Sequence, residues 1–321
     1  MQTIRIVASC TQGKKLSVPP DLRLGSISNG SLAERIEIWK GLLQQSRTTS
    51  VSAVDLYRGH HWAVVRELPT VAKAGGFQAD LWVASAGYGL LAAEAQVRPY
   101  SATFSGSEGD GVWRPSDGDR RTALRTWWNE LQEMPGFATG PPRSLTALAA
   151  AAPDAVILVI ASPAYIVAMA DDLAEARGHL IDPQCLIVVS SRHESLQPEW
   201  LKSHLVPSEA PLTGVLGGSR GALHARTARR ILQEAARVPL RADVLVSHYE
   251  RLLTQVERVV VPARLKLSDE DVRRFIRQAI AGDGGLACTT ALRSLRRTGQ
   301  ACEQRRFATL YAEVRGEANV A

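Results

Sequence analysis

Four times along the chain a short apolar run breaks abruptly into small polar residues. Ile4-Arg5-Ile6-Val7 leads into Ser9-Cys10-Thr11-Gln12-Gly13-Lys14-Lys15, and Trp82-Val83-Ala84 into Ser85-Ala86-Gly87-Tyr88-Gly89. Residues 155–161 lead into Ser162-Pro163-Ala164-Tyr165, and residues 185–189 into Ser190-Ser191-Arg192-His193-Glu194-Ser195. Each reads as a buried strand opening into a loop. Helical spacing fills the intervals. Ser31 followed by Glu34 is a capping box that predicts a helix through Gln45, with Leu32, Ile36, Trp39 and Leu43 on one face. Further helices are expected over 54–71, 120–133 and 164–177. This alternation predicts an α/β domain, a mainly parallel sheet covered by helices.

Small residues at strand ends let the backbone come close to a ligand, and open α/β sheets bind ligands in the crevice at those ends. The four ends are therefore expected to converge on one pocket, although ordinary Gly and Ser turns would produce the same pattern. The polar segment 98–111 is too long for a simple connector and is expected to cover that pocket.

Beyond Pro211 the pattern is helical only, which divides the chain into an α/β domain over 1–211, a basic helical connector over 212–263 and a helical C-terminal domain over 264–321. Gly217-Gly218-Ser219-Arg220-Gly221 opens a helix over 222–237 carrying Arg226, Arg229 and Arg230. Free N–H groups at such a helix start, with arginines beside them, suit an anion. Farther on, helices are expected over 268–281, 286–297 and 300–314, the last with a buried stripe of Phe307, Leu310, Tyr311 and Val314. The last two, joined through Thr298-Gly299 and bearing Arg293, Arg296, Arg297, Arg305 and Arg306, fit a helix-turn-helix-like DNA-binding region.

Charge sharpens this picture. The net charge is +6, yet the segment from Gly214 to Arg315 holds nineteen Lys or Arg against ten Asp or Glu, so the remainder is slightly acidic. A basic third on a near-neutral domain suggests a polyanionic partner, here double-stranded DNA. Cys10, Cys185, Cys288 and Cys302 are scattered, without the spacing of a zinc site or a disulfide framework, so free thiols are expected and no metal or cofactor. No apolar run approaches the roughly 20 residues of a membrane span, and the first strand begins almost at once. A cytoplasmic protein is expected.

Ser9-Cys10-Thr11, Leu56-Tyr57-Arg58-Gly59, residues 84–91 (A-S-A-G-Y-G-L-L) and Pro99-Tyr100 together resemble bacterial domains related to peroxide-stress proteins, which are similar to the uracil-DNA glycosylase-like superfamily. The likeness covers about residues 1–200 and extends to anti-phage glycosylases that remove a bulky modified cytosine. It implies a glycosylase-like fold, with the 85–89 loop as the first motif and Ser191-Arg192-His193-Glu194-Ser195-Leu196 as the last. Tyr88 would line the base pocket and His193 would face the departing base or the DNA strand. The aspartate that many uracil glycosylases carry in the first motif is absent, since Ala86 and Gly87 stand there.

The leading expectation is a DNA glycosylase that flips a modified base and hydrolyses its N-glycosidic bond. Such a reaction needs a carboxylate that orients water and a donor beside the base. Asp110 is the first candidate carboxylate and Glu108 the second, with His193 or Arg192 for the leaving base. Ser9, Cys10, Ser85, Gly87, Tyr88, Phe104 and Tyr165 are the expected substrate contacts. Two other classes compete: a non-catalytic DNA-binding protein that senses a nucleotide or modified base, and an enzyme of free nucleotides gripping phosphate with Ser9, Lys14 and the Gly217-Gly218 loop.

Overall fold

The four apolar runs become strands of one sheet in the structure, a computed structural model that describes residues 2–106, 109–134, 142–193, 199–256, 265–283 and 285–318. Strands β1 (Thr3–Ser9), β2 (Val51–Ser52), β3 (Gln78–Ser85), β4 (Gly89–Ala92), β5 (Gln96–Val97), β6 (Val156–Ile160), β7 (Leu186–Ser190) and β8 (Leu205–Pro207) belong to the larger unit, Met1–Arg258. Six of them form a sheet in the order β4-β3-β1-β6-β7-β8, parallel throughout except for β4. Ile6 sits at its centre, paired with Leu81 on one side and Leu158 on the other. β6 and β7 are buried at every position, as continuous apolar strands covered on both faces must be. β2 and β5 form a separate antiparallel pair.

The helices of this unit are α1 (Leu32–Gln45), α2 (Ala53–Leu56), α3 (His60–Ala74), α4 (Arg120–Gln132), α5 (Leu145–Ala151), α6 (Pro163–Ala168), α7 (Ala170–His179), α8 (Leu212–Leu216), α9 (Leu223–Glu234) and α10 (Ala242–Gln255). The capping box of α1 is present, with Ser31 and Glu34 bonding reciprocally. Among the described residues no helix is long and apolar enough to cross a membrane.

Three local expectations change. The helix expected over 54–71 is two helices, because Arg58 N–H donates to the Gly13 carbonyl and Gly59 takes φ 106°, a conformation only glycine adopts without strain. Segment 85–92 is a hairpin: β4 returns antiparallel to β3 instead of leaving as an open loop. The stretch expected as a connector joins the core. α9 buries Leu223, Ala225, Ala228, Ile231 and Leu232 against α3, β6 and β7, and α10 buries Leu245 and Tyr249. The sequence marked a basic helix over 222–237, but only the arrival of a partner face shows that α9 and α10 complete the sheet domain.

The second unit, Val259–Ala321, has its own core of Val272, Ile276, Leu292, Leu295, Phe307, Leu310 and Val314. Its described elements are β9 (Leu265–Lys266), α11 (Asp269–Gly282), α12 (Cys288–Arg297), β10 (Gln300–Ala301) and α13 (Gln304–Ala318). The stripe Phe307, Leu310, Tyr311 and Val314 is buried as expected. Residues 300 and 301 instead form a parallel pair with β9, and the last helix begins four residues later than expected.

One buried carboxylate locks the far side of the sheet domain. Asp172 accepts hydrogen bonds from Trp128 Nε1 (3.0 Å), Gln132 Nε2 (3.0 Å), the Leu145 and Thr146 N–H groups (both 2.9 Å) and the Thr146 hydroxyl (2.8 Å). Burial raises its pKa above the ordinary value although these bonds pull the other way. Asp172→Ala strands several buried donors at once and is expected to cost about 3 kcal/mol, read as a shift in the chemical-denaturation midpoint. A variant within about 0.5 kcal/mol of the parent would contradict this role.

Candidate active site

The parallel strands run in chain order β1, β3, β6, β7, β8 but lie in the order β3-β1-β6-β7-β8. The chain leaves β1 to one side and returns to the other for β6. That reversal opens a crevice at the carboxyl ends of β1 and β6, the place where open α/β sheets bind ligands. A cavity of about 580 Å³ lies there. It is lined by Ser9, Cys10, Thr11 and Gln12 after β1, Ser162 and Tyr165 at α6, Ala102, Thr103 and Ser105 from the long loop, His61 at the start of α3, and Arg220, Gly221 and His224 at the start of α9.

Behind the lining residues Cys10 and Tyr165 lies a buried hydroxyl network. The Tyr100 hydroxyl, wholly buried, lies 2.6 Å from the Ser85 Oγ, 3.1 Å from the Tyr57 hydroxyl and 3.3 Å from the Cys10 Sγ. Cys10 Sγ in turn lies 3.1 Å from the Tyr165 hydroxyl. Burial, reinforced by the Cys10 thiol, raises the pKa values of Tyr57, Tyr100 and Tyr165 well above that of an ordinary phenol, so all three stay protonated. Lys14, 7% exposed, sets its ammonium 4.5 Å from the Tyr100 ring centroid and donates to the Thr11 carbonyl at 3.0 Å. Desolvation lowers the Lys14 pKa, with Cys10 and Asp110 opposing. Phe104 meets the Tyr165 ring edge-on at 4.9 Å and backs the aromatic wall.

Among the described residues no carboxylate lines the cavity. Its two histidines are neutral, because desolvation lowers His61 to about 4 against the opposing Ser9 backbone, and desolvation together with His61 lowers His224 to about 4. Among the described residues the His61 Nε2 and the His224 Nδ1 are shielded from solvent and have no hydrogen-bond partner. The chemistry on offer is mostly uncharged hydrogen bonding around an aromatic face, with Arg220 as the one cation among the described lining residues.

Of the residues expected to bind substrate, Ser9, Cys10 and Tyr165 line the cavity, and Phe104 stands just behind it. Ser85, Gly87 and Tyr88 do not line it. The Ser85 hydroxyl accepts from the Gly87 and Tyr88 N–H groups inside the hairpin, and the Tyr88 hydroxyl is bound to the Arg98 backbone. A Cβ on Gly87 would lie 2.4 Å from the Tyr100 ring, so this glycine admits Tyr100 rather than a ligand. Arg192 and His193 are exposed just after β7 and are not among the lining residues, with Arg192 paired to Glu250 and its N–H donating to Glu209. Asp110 flanks the cavity through Thr103, whose N–H donates to its carbonyl, but its carboxylate accepts from the Gly25 N–H at 3.0 Å and stands 3.9 Å from Arg23. Glu108, Glu194, Ser195, Leu196 and the Arg305 side chain lie outside the described residues.

The arginines expected on DNA divide by their partners. Arg229 pairs with Glu67, Arg230 with Glu234, and Arg226 bonds back to the Gly217 and Ser219 carbonyls, so α9 spends its charge within the unit. Arg306 is likewise tied to Asp269 and the Leu267 carbonyl. Arg293, Arg296 and Arg297 are different. With Thr289, Leu292 and Gln304 they line a concavity of about 470 Å³ on the second unit, and among the described residues Arg293 and Arg297 form no ion pair. His61 and His224 are the site residues missed by sequence reading. Each sits in the first turn of a helix with no motif around it, and only the packing of α3 against α9 brings them together.

No family model, curated protein or solved structure matches this chain.

The depressed histidines have a measurable consequence. Because His61 and His224 titrate near 4 when folded and near 6.5 when unfolded, the unfolded chain binds more protons between those values. Their contribution to stability is complete above about pH 6.5 and declines as the pH falls toward 4. His61→Gln/His224→Gln is expected to flatten the pH dependence of the unfolding free energy across this window, and an unchanged slope would contradict the assignment. Separately, Gly87→Ala forces a Cβ into the Tyr100 ring and is expected to cost about 2–3 kcal/mol in thermal unfolding.

Proposed function

We propose that this chain is a DNA glycosylase, taking a flipped, modified base into the cavity between β1 and β6 and hydrolysing its N-glycosidic bond. The observation that carries the reading is a hydrogen-bonding cavity, lined by hydroxyls, neutral imidazoles and the Arg220 guanidinium, with an aromatic wall at the sheet's switch point. Neutral donors and acceptors beside a ring face suit a nucleobase. The resemblance carried by Ser9-Cys10-Thr11, residues 84–91 and Pro99-Tyr100 supports the same reading, as does the basic C-terminal third.

In this mechanism water attacks the anomeric carbon as the bond to the base nitrogen breaks. The electron pair leaves with the base, positive charge builds on the sugar, and the proton released from water finally resides on the base. The neutral His224 imidazole stabilises the leaving base by hydrogen bonding. Asp110, which flanks the cavity, is the candidate to orient the water, and to do so its carboxylate exchanges the Gly25 N–H for that water.

The present attachment of Asp110 to Gly25, and a lining without carboxylates, favour a second reading: a DNA-binding protein that senses a base without cleaving it. One experiment separates the two. Duplexes carrying different base modifications are incubated with the chain under single-turnover conditions, and both binding and abasic sites are counted. Abasic sites from one modification support the glycosylase. Selective binding without them supports the sensor, and neither result would end both readings.

If Asp110 is the working acid, Asp110→Asn slows base release by roughly two to four orders of magnitude while DNA binding persists. A parental rate would remove Asp110 from the mechanism. For the second unit, Arg293→Glu/Arg297→Glu is expected to weaken duplex binding and reduce the log-log salt slope by about two, close to one unit per lost phosphate contact. An unchanged slope would remove this concavity from the DNA interface.

A further inference from the structure

One region of the cavity has a chemistry that base recognition does not need. His61 lies in the first turn of α3 and His224 in the first turn of α9, while Arg220 and Gly221 lie in a 3-10 turn, Arg220–Ala222, that leads into α9 and packs against α3. Both helices are long enough to carry a useful dipole, 15 and 12 residues, and neither start is capped by a side chain. Gly59 and Ala222 occupy the cap positions, and neither has a side-chain oxygen to accept the first N–H groups.

A helix start alone proves little, but here an independent observation accompanies it. Among the described residues the His61 Nε2 and the His224 Nδ1 atoms are shielded from solvent and lack a hydrogen-bond partner, on half-buried side chains that line this cavity. A shielded polar atom without a partner costs about 1–3 kcal/mol, which a ligand oxygen would recover. Arg220 also lines the cavity, is exposed, and forms no ion pair among the described residues, unlike Arg229 and Arg230 of the same segment. The lining offers hydroxyls from Ser9, Thr11, Ser105 and Ser162 and, among the described residues, no carboxylate that would repel an anion.

We propose that the corner formed by His61, Arg220 and His224 binds a phosphate group, so that the pocket takes a nucleotide unit rather than a bare base or nucleoside. Two helix starts, the Arg220 guanidinium and the His224 imidazole offer the anion donors and fixed positive charge, and His61, whose other nitrogen donates to the Ser9 carbonyl, lines the same corner. The proposal deepens the base-binding reading of this cavity and depends on it only for what the phosphate carries. The phosphate belongs either to a free mononucleotide or to the backbone of a DNA strand.

The test uses the full chain and calorimetric titration with the 5′-mononucleotides and their nucleosides. A single-stranded oligonucleotide is compared with its analogue bearing one neutral methylphosphonate beside the target base. Phosphate is expected to tighten binding by at least about tenfold, the scale of one charge-assisted hydrogen bond. Arg220→Gln, at an exposed position, is expected to remove most of that gain, and His61→Gln/His224→Gln the rest. A gain seen with mononucleotides assigns the free phosphomonoester, and a gain seen only between the two oligonucleotides assigns the backbone phosphodiester; either supports the site. Equal affinity with and without phosphate in both comparisons, or a gain untouched by Arg220→Gln, overturns it. Failure of the glycosylase reading leaves a different signature: phosphate-dependent binding with no abasic sites.

Discussion

The site depends on the need to satisfy the buried hydroxyl of Tyr100. A phenol taken out of water must find partners inside the protein, and here these are Ser85 at the end of β3, Tyr57 ahead of α3, and Cys10 at the end of β1. One oxygen therefore ties three segments that are distant in sequence, and Cys10 passes the link to Tyr165 on α6. Tyr100 reaches this position only because Gly87 leaves room for its ring. The long loop that follows Tyr100 is fixed at its other end by a buried ion pair, Arg35 with Asp117, in two bonds of 2.8 Å. Burial works to raise the Asp117 carboxyl, yet the bonds from Arg35 and Arg114 outweigh it and hold its pKa below the ordinary value.

Pinned at both ends, the loop delivers Ala102, Thr103 and Ser105 to the cavity and leaves Asp110 at its flank. The result is a cavity whose polarity comes from hydroxyls, a thiol and neutral imidazoles rather than charge. Such a lining binds ligands by shape and hydrogen bonding, and the single guanidinium of Arg220 becomes its dominant electrostatic feature. The contrast with the rest of α9 is informative. Arginines that find a local carboxylate are neutralised by the fold, and those without one remain available to an external anion.

The same sorting applies to the second unit. Its net basic character is diluted by internal pairs such as Arg273 with Glu313 and Arg306 with Asp269. What is left is concentrated on α12, at the concavity of Arg293, Arg296 and Arg297. Two surfaces of different chemistry thus sit on one chain, a cavity lined mainly by hydroxyls and neutral imidazoles and a cationic concavity on α12.

The sequence by itself determined the α/β class, the four strand ends, the capped helix α1 and the buried stripe of α13. These rest on local rules, namely periodicity, capping and the break from apolar to small residues, which need no distant partner to operate. It also marked Ser9, Cys10 and Tyr165 correctly as neighbours of a cavity, because a strand end at a switch point projects into the crevice whatever follows. Only the tertiary structure decided that Ser85, Gly87 and Tyr88 are hairpin core, since an antiparallel return and an open loop share the same small residues. It alone brought His61 and His224 to the cavity lining, through the packing of α3 on α9, and decided which arginines are neutralised. Both decisions depend on which residues lie close in space, and that proximity is created by long-range packing rather than by the order of residues along the chain.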